Sequence, residues 1–437
     1  MESIWTRDAQ PPRFPALESD ASTDVLVVGG GLAGLLCAWF LQQEGLDCLI
    51  LEAGRVGRGA TLGTTAKVTA QHGLMGTRLL RDLGADRARL YVRANLEAVE
   101  EYRRLCGVLD CGFEDADSFV YFRDDRELLD RELAALRRLG CPAQFQKDLE
   151  LPFSTAGAVK VPGQGKLHPL RLLAALAREL RVYEHTRVRD VGILKDGGRA
   201  AFTDGGVVRA KRMVIATHFP FLDRWGGYFM KLYQDRSYVL ALQNAPLPVG
   251  MYRDADEKGL SFRTAGEYLL LGGGSHRTGK PSLGWRPLRE TAHRYWPHAE
   301  VAAFWATQDC VTPDGVPYVG RYGRDTEDVY VMTGFNKWGF TNAMAGAKLL
   351  AALLTGREHP AQGVYSPQRH LPLPALAANG MEAAADFALP LPRRCPHLGC
   401  ALRWNPAEHT WDCPCHGSRF TREGEVLDGP AQKGLAE

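Results

Sequence analysis

The residues best suited to bind a metal lie near the C-terminus of this 437-residue chain. Cys395 and His397 form the pattern C-x-H, and after fifteen intervening residues Cys413 and His416 form C-x-x-H. Two thiolates and two imidazoles are the ligands of a [2Fe–2S] cluster in which cysteines hold one iron and histidines hold the other. The same ligand types also suit a tetrahedral zinc ion. We expect the iron–sulfur cluster, because a single zinc ion gives no reason for the C-x-H step.

A second candidate site is a glycine motif near the N-terminus. Gly29, Gly31 and Gly34 form G-x-G-x-x-G directly after the apolar run DVLVV, a helical pattern follows, and Glu52 ends the next apolar run. This order of strand, turn, helix and strand is typical of a βαβ unit that binds a dinucleotide. Gly31 would let backbone N–H groups approach a pyrophosphate, and Glu52 would bind the ribose hydroxyls. No second motif of this kind follows a strand, so we expect one dinucleotide site.

The elements that must position these sites alternate between helix and strand. Helical patterns cover about residues 78–139 and 169–180, and the last one ends near Gly356. The apolar stretch from Val25 to Gln43 has the length of a membrane span, but its three consecutive glycines favour a strand, a turn and a buried helix. Residues 361–393 are rich in proline and alanine with little periodicity, which predicts a linker.

The composition is that of a folded, nearly neutral protein. Hydrophobic residues make up 45% and charged residues 24%, and 53 Lys and Arg residues against 51 Asp and Glu residues leave a net charge of +2. We therefore expect neither nucleic acid nor an anionic membrane as a partner. The N-terminus shows no basic region followed by an apolar stretch, so we expect no secretory signal and a cytoplasmic location. Six cysteines outside the C-terminal group are expected to be small buried residues without a role, namely Cys37, Cys48, Cys106, Cys111, Cys141 and Cys310.

Several segments of the first 357 residues resemble one family of flavoproteins. These segments are EAGR at 52–55, GTTAK at 63–67, VIATHFP at 214–220, TPDGVPYVG at 312–320 and GFNKWGFTNAMAGAKLL at 334–350. They are similar to the FAD-dependent amino-acid and amine oxidoreductases of the D-amino-acid oxidase superfamily, over about residues 20–357. By this resemblance FAD would be bound, beyond the glycine motif and Glu52, by Ala33, Ala53, Thr65, Ala66, Val188, Ala216, Thr217, Gly334, Gly339, Phe340 and Thr341.

The C-terminal segments CPHLGC at 395–400 and CPCHGS at 413–418 resemble the cluster loops of Rieske proteins. The resemblance implies a disulfide between Cys400 and Cys415, and it makes Gly429-Pro430-Ala431 the loop that covers the cluster. This chain lacks a strand-rich base before the first loop, and a part of about 50 residues is too small to fold alone. We therefore expect this part to dock on the flavoprotein body. Trp404 and Trp411 would either anchor it there or pack within the small domain.

These resemblances together imply a fold of three parts. The expected fold is an α/β FAD-binding Rossmann-like domain with an antiparallel-sheet substrate domain, plus a small all-β Rieske domain. The oxidoreductase would cover residues 1–360, with nucleotide-binding segments at about 20–80, 160–220 and 310–357. The linker at 361–393 would lead to a short Rieske domain at 394–437.

Two redox centres in one chain suggest how electrons would leave. FAD accepts two electrons as a hydride and the cluster takes one, so we expect a dehydrogenase that passes electrons singly through the cluster to an external acceptor. The substrate would be a small amine or an amino-acid-like molecule. Two alternatives remain, an amine oxidase that uses O₂ and a non-enzymatic redox sensor.

The positions that hold a substrate carboxylate in related enzymes differ in this chain. Asp309 stands where an arginine is common, and Thr341 stands where sarcosine-oxidase-like members have a lysine. Both differences argue against a simple α-amino acid, and Asp309 would suit a cationic amine. The catalytic residues we predict are Tyr252, Arg263, His276 and Asp309, and the other polar candidates near the flavin are His72, His168 and Lys337.

Overall fold

A computed structural model describes residues 3–195, 197–371, 373–388 and 391–435. The strands are β1 (Ala21–Val28), β2 (Cys48–Leu51), β3 (Lys67–Val68), β4 (Glu114–Asp115), β5 (Ser118–Phe122), β6 (Gln144–Gln146), β7 (Gly157–Val161), β8 (Gly165–Lys166), β9 (Arg181–Tyr183), β10 (Asp190–Ile193), β11 (Arg199–Phe202), β12 (Val207–Ile215), β13 (Tyr233–Gln243), β14 (Met251–Asp254), β15 (Ser261–Ala265), β16 (Tyr268–Arg277), β17 (Glu300–Val311), β18 (Tyr318–Arg321), β19 (Val329–Thr333), β20 (Arg403–Asn405), β21 (Thr410–Asp412), β22 (Arg419–Phe420) and β23 (Val426–Asp428).

The helices lie mainly between these strands. They are α1 (Leu32–Gln43), α2 (Ala60–Gly63), α3 (Gly76–Leu83), α4 (Ala85–Val108), α5 (Arg126–Arg138), α6 (Pro169–Arg178), α7 (Tyr228–Lys231), α8 (Arg286–Tyr295), α9 (Gly339–Leu354), α10 (Gln362–Tyr365) and α11 (Leu373–Ala388), and a short 3₁₀ helix covers Ile4–Thr6. Within the described ranges, none of these helices combines the length and the apolar character that crossing a bilayer requires.

The first sheet carries the glycine motif. Its strands run in the order β10-β11-β12-β1-β2-β9, with β19 beside β12 and β18 beside β19. The central pairs β12–β1, β1–β2 and β2–β9 are parallel. Residues 25–28 of β1 are all buried, as expected for a strand covered on both faces. The stretch that mimics a membrane span is therefore β1, a turn and α1, as the sequence indicated.

The second sheet contains eight strands. Its order is β17-β13-β16-β15-β14-β5-β7-β6, and its pairs are antiparallel except for β14 with β5. A small third sheet contains β3, β8 and β4. The C-terminal part is an antiparallel sheet in the order β20-β21-β22-β23. This architecture confirms the fold class expected from the sequence.

The segment expected to be a linker is more ordered than the sequence suggested. Helix α11 occupies sixteen residues of it, since alanine favours helix strongly enough to outweigh the nearby prolines. Asn379 donates hydrogen bonds to the carbonyls of Met230 (3.0 Å) and Leu232 (3.3 Å), which fix the helix to the body. Residues 372, 389 and 390 of the linker and the last two residues of the chain lie outside the described residues.

Two cysteines that were expected to have no role form a disulfide. Cys106 near the end of α4 is bonded to Cys111, five positions later. Cys37, Cys48, Cys141 and Cys310 are buried thiols, as expected. The pairing was missed because two single cysteines in mixed surroundings give no spacing pattern.

Candidate cofactor and active site

The glycine motif forms a turn that only glycine can occupy at its first and third positions. Gly29 has φ +114°, and a Cβ on it would lie 2.5 Å from the carbonyl oxygen of Ala216. A Cβ on Gly34 would lie 1.9 Å from the carbonyl oxygen of Gly29, so α1 packs directly on this turn. A Cβ on Gly31 would meet only Thr61 Oγ1, at 3.7 Å. The space beside Gly31, at the N-terminus of α1, is therefore open, and a bound pyrophosphate requires such a space.

Glu52 follows β2 and is held beside this turn. Its carboxylate accepts hydrogen bonds from the backbone N–H groups of Gly30 and Gly54, both at 2.7 Å. Burial raises the pKa of Glu52, while these two N–H groups oppose the rise. The carboxylate is thus fixed at the edge of a large cavity, where a ribose could reach it.

That cavity has a volume of about 840 Å³ and lies between the first two sheets. Most residues expected to bind the flavin line it, namely Gly29, Gly31, Ala33, Glu52, Ala53, Thr65, Val188, Ala216, Thr217, Gly334, Gly339 and Phe340. Among the described residues, Gly34, Ala66 and Thr341 are not part of the lining. Thr341 is buried behind it, with its Oγ1 2.9 Å from His72 Nε2 and 3.0 Å from the carbonyl oxygen of Thr69.

The structure brings one of the four predicted catalytic residues to the cavity wall. Asp309 lines it, whereas Tyr252, Arg263 and His276 are absent from the described lining. Tyr252 donates to Glu150 (3.0 Å) and stacks on Phe119. Tyr252, Arg263 and His276 therefore make contacts within the protein and do not reach the cavity.

Arg263 and His276 are held by their neighbours in the second sheet. Arg263 is buried and donates to the carbonyls of Thr65 and Ala66, the latter at 2.7 Å, so it supports the segment that lines the cavity. His276 stacks on Tyr238 with a centroid separation of 5.6 Å. The sequence pattern could not separate these side chains from Asp309, because all of them lie on β-like segments near the domain seam.

Asp309 belongs to a polar cluster on paired strands. Asp309 of β17 lies opposite Asp235 of β13. Lys337 Nζ is 3.3 Å from Asp235 Oδ2 and also contacts Ser275 Oγ. Burial raises the pKa of Asp309, and the charge of Lys337 opposes the rise. Two carboxyl groups and one ammonium group therefore face the same cavity.

Arg78 is a cavity residue that the sequence analysis did not select. It lies in α3, and its Nε is buried without a hydrogen-bond partner. Gly315 makes room for it, since a Cβ there would lie 2.2 Å from Arg78 Nη2. Within the described part of the chain no carboxylate pairs with this guanidinium, and the adjacent Asp314 pairs with Arg369 instead. No sequence pattern marks Arg78, because it stands in an arginine-rich helical stretch.

The four predicted metal ligands come together in the C-terminal domain. Cys395 and Cys413 are buried thiols outside any disulfide, and the rings of His397 and His416 lie 4.9 Å apart and perpendicular. Both Nδ1 atoms are buried and have no hydrogen-bond partner among the described residues. A pair of orphaned imidazole nitrogens beside two thiols fits the ligand set of a cluster with cysteines on one iron and histidines on the other.

The surrounding loops also match the expectation. Cys400 is bonded to Cys415, as the Rieske resemblance implied. The loop at Gly429-Pro430-Ala431 lies on Ser418, because Ala431 N–H donates to Ser418 Oγ at 3.1 Å. Both contacts join segments that flank the predicted ligands Cys413 and His416.

The cluster-binding domain docks on the flavoprotein body through polar contacts. Arg277 donates to the carbonyl of Pro414 (3.0 Å), and Gln308 donates to that of Gly417 (2.9 Å). Trp404 and Trp411 pack on each other across β20 and β21, with ring centroids 5.2 Å apart. The tryptophans thus contact one another within the small domain, which was the second of the two roles considered for them.

Phe219 connects the two candidate sites. It lines the cavity, and its ring centroid lies 6.5 Å from that of His397 and 5.8 Å from that of His416, in edge-on geometry. Residues 426–429 and 432 of the cluster-binding domain also line the cavity. One aromatic side chain therefore lies both on the cavity wall and beside the two predicted ligand histidines.

A dinucleotide cradle facing a large cavity, with a two-cysteine, two-histidine site docked beside it, defines a flavoprotein that carries an iron–sulfur domain. Residues 24–353 match the family model described as FAD dependent oxidoreductase, and residues 389–437 match that of the Rieske [2Fe-2S] domain. The chain belongs to this family of FAD-dependent oxidoreductases and carries a C-terminal Rieske domain. Its cofactors are FAD and a [2Fe–2S] cluster.

Three known proteins show what this chain resembles. The putative Rieske 2Fe-2S iron-sulfur protein YhfW of Bacillus subtilis is 33% identical, with alignment over 100% of this chain and 97% of that protein. Glycine oxidase from Geobacillus kaustophilus has a TM-score of 0.69 at 23% identity, covering 80% of this chain and 100% of that one. L-Proline dehydrogenase from P. horikoshii has a TM-score of 0.68 at 19% identity, covering 80% and 97%. The two solved structures show the shared fold.

Proposed function

We propose that this oxidoreductase is a dehydrogenase for a small amine or amino-acid-like substrate, whose electrons leave singly through the Rieske cluster to an external acceptor. The observation that carries the proposal is the position of Phe219 between the cavity wall and both histidines. When bound, FAD takes two electrons from a C–H bond next to nitrogen, and the cluster, with a potential of about −150 to +300 mV, takes one at a time.

The chain's own residues divide the work of holding FAD. We assign the pyrophosphate to the open space before Gly31 and the ribose to Glu52, whose carboxylate is already oriented by two backbone N–H groups. Val188 would lie beside the adenine, and Thr65 and Ala66 near the pyrophosphate or the ring. Gly334, Gly339, Phe340 and Thr341 would follow the isoalloxazine, with Thr341 supporting it from behind the wall. We also propose that the oxidoreductase domain ends near residue 360 and that the Rieske domain begins near residue 394.

Phe219 supports direct electron exchange between the two centres. Its ring is buried and lies edge-on to both imidazoles, so it would fill the space between the cavity and the metal ligands and keep water out of it. The histidine side of the cluster site would therefore face the flavin without any movement of the small domain.

Opposite charges on the cavity wall support a substrate that carries both an amine and an anionic group, although Asp309 and Thr341 had argued against a simple α-amino acid. Asp309 and Asp235 would bind the cationic nitrogen, and Lys337 would keep the pair from repelling each other. Arg78, which lacks a carboxylate partner in the described chain, would bind a carboxylate of the substrate. Glycine oxidase and L-proline dehydrogenase, whose fold this chain shares, act by their names on molecules with both groups.

The test begins with the protein purified without oxygen. After reduction with dithionite, an EPR spectrum should show a reduced [2Fe–2S] signal beside flavin absorption in the oxidised sample. A panel of amines and amino acids is then mixed with the protein in a stopped-flow instrument. Bleaching of the flavin followed by reduction of the cluster would support the proposal. Peroxide formed in proportion to substrate while the cluster stays oxidised would favour the O₂-using oxidase instead.

A further inference from the structure

We infer that Asp223 of the flavoprotein body is a positioning residue for the cluster, holding His397 by its outer nitrogen and lowering the reduction potential of the centre. This inference rests on the proposed assignment of His397 as an iron ligand. Asp223 lies outside the cluster-binding domain, in the loop between β12 and α7.

The geometry separates the two nitrogens of His397. Its Nε2 is 2.8 Å from Asp223 Oδ2, whereas its Nδ1 is buried and has no hydrogen-bond partner among the described residues. The histidine side chain is 4% exposed and the aspartate side chain 32%. With Nδ1 directed to iron, Nε2–H donates to the carboxylate, which fixes both the tautomer and the ring orientation.

The second histidine is held in a different way. His416 Nε2 lies 3.0 Å from the carbonyl oxygen of Phe229, so the flavoprotein body supplies one acceptor to each imidazole. Only Asp223 contributes a negative charge. A carboxylate that accepts from a ligand imidazole makes that ligand more basic, and the added negative charge favours the oxidised cluster over the reduced one. The body of the protein would therefore set the potential of a cluster bound entirely by another domain.

A purely structural role for Asp223 predicts a different outcome. If the contact only docked the domain, an amide that keeps the hydrogen-bond acceptor would leave the potential unchanged. The Asp223→Asn variant keeps the size and one acceptor oxygen but removes the charge. Asp190→Asn is a matched control, because Asp190 pairs with the neighbouring Arg224 at 3.0 Å, is more exposed and does not contact His397.

The experiment is an EPR-monitored redox titration of full-length protein at constant pH, with iron and FAD content measured in each sample. We expect the midpoint potential of the cluster to shift upward in Asp223→Asn and to stay at the wild-type value in Asp190→Asn. The midpoint potential of Asp223→Glu, which keeps the charge, should lie nearer to the wild-type value than that of Asp223→Asn. Loss of iron from Asp223→Asn with FAD retained, and its recovery in Asp223→Glu, would also support the inference.

Equal potentials and equal iron content in wild type, Asp223→Asn and Asp190→Asn would overturn it. The same loss of iron in Asp190→Asn would overturn the inference as well, because removal of any nearby carboxylate charge would then have the same effect as removal of Asp223. Absence of a [2Fe–2S] signal from the wild-type protein would instead contradict the proposed function, which is a distinguishable failure.

Discussion

Arg236 of β13 and Glu408 of the cluster-binding domain form a buried ion pair across the interface. Arg236 Nε donates to Glu408 Oε1 at 2.6 Å, and the two side chains are 4% and 5% exposed. Arg419 donates to the same carboxylate at 2.8 Å. Removing one partner of such a pair leaves an uncompensated buried charge, which costs about 3–5 kcal/mol.

Replacing Glu408 should therefore weaken docking of the small domain. We expect Glu408→Leu to lower the denaturation midpoint strongly, and the double change of Glu408→Leu with Arg236→Met to recover part of the loss. Differential scanning calorimetry of the holoprotein measures both. Glu423→Gln, on an exposed turn, is the control, and an equal loss in that variant would contradict the assignment.

The same pair predicts loss of stability in acid. Burial pushes the pKa of Glu408 up, but the charges of Arg236 and Arg419 outweigh it and leave the pKa below the ordinary value of about 4.3. A lowered pKa contributes stability that is present above about pH 4.3 and is lost as pH falls through the pKa of the folded state. The denaturation temperature of wild type should therefore fall more steeply below about pH 4.3 than that of Glu408→Gln. If the denaturation temperatures of the two proteins fell in parallel with pH, the ion pair of Glu408 would not be the cause of the acid sensitivity.

Alanine substitutions at two glycines of the motif should have different effects, one on FAD binding and the other on stability. Gly31→Ala places its Cβ in open space, so the protein should fold normally and lose affinity for FAD. Gly34→Ala drives a methyl group into the carbonyl of Gly29, and overpacking of this kind costs about 1–3 kcal/mol or more. Flavin content and thermal denaturation separate the two effects. Equal flavin content in Gly31→Ala and wild type would place the pyrophosphate elsewhere.

Phe219 offers a test of the electron route. Phe219→Leu keeps the site apolar, but it removes volume from a buried position and should therefore cost some stability. Because it opens the gap between the cavity and the two histidines, it should slow reduction of the cluster by substrate while flavin reduction keeps its rate. Stopped-flow absorbance at flavin and cluster wavelengths records both steps. Phe202→Leu on an exposed position serves as control, and unchanged cluster reduction in Phe219→Leu would remove this residue from the route.

The charges on the cavity wall should act on different parts of the substrate. Asp309→Asn should raise KM for amines and amino acids alike, whereas Arg78→Met should raise KM only for substrates that carry a carboxylate. Each lost charge contact is worth about 2 kcal/mol or more, roughly thirtyfold in KM. Steady-state kinetics with matched amine and amino-acid pairs measures this. Equal effects of Arg78→Met on both members of a pair would contradict its assignment to the carboxylate.

The sequence by itself determined the two cofactor sites. Gly29, Gly31 and Gly34 with Glu52, and Cys395 with His397, are local patterns in which spacing along the chain already specifies the geometry. The Cys400–Cys415 disulfide and the fold class followed from such patterns and their family resemblance, and the four predicted cluster ligands lie together in the C-terminal domain. Docking of the small domain was also expected, because a part of about 50 residues cannot bury enough surface alone.

Only the tertiary structure decided which side chains from distant segments share a cavity or an interface. It placed Asp309, Arg78 and Phe219 at the cavity wall and directed Tyr252, Arg263 and His276 into structural contacts. It also joined Asp223 to His397 across 174 positions of sequence. Such contacts depend on the register of β13 against β17 and on how two domains meet, and neither leaves a periodic or spaced signal in the chain.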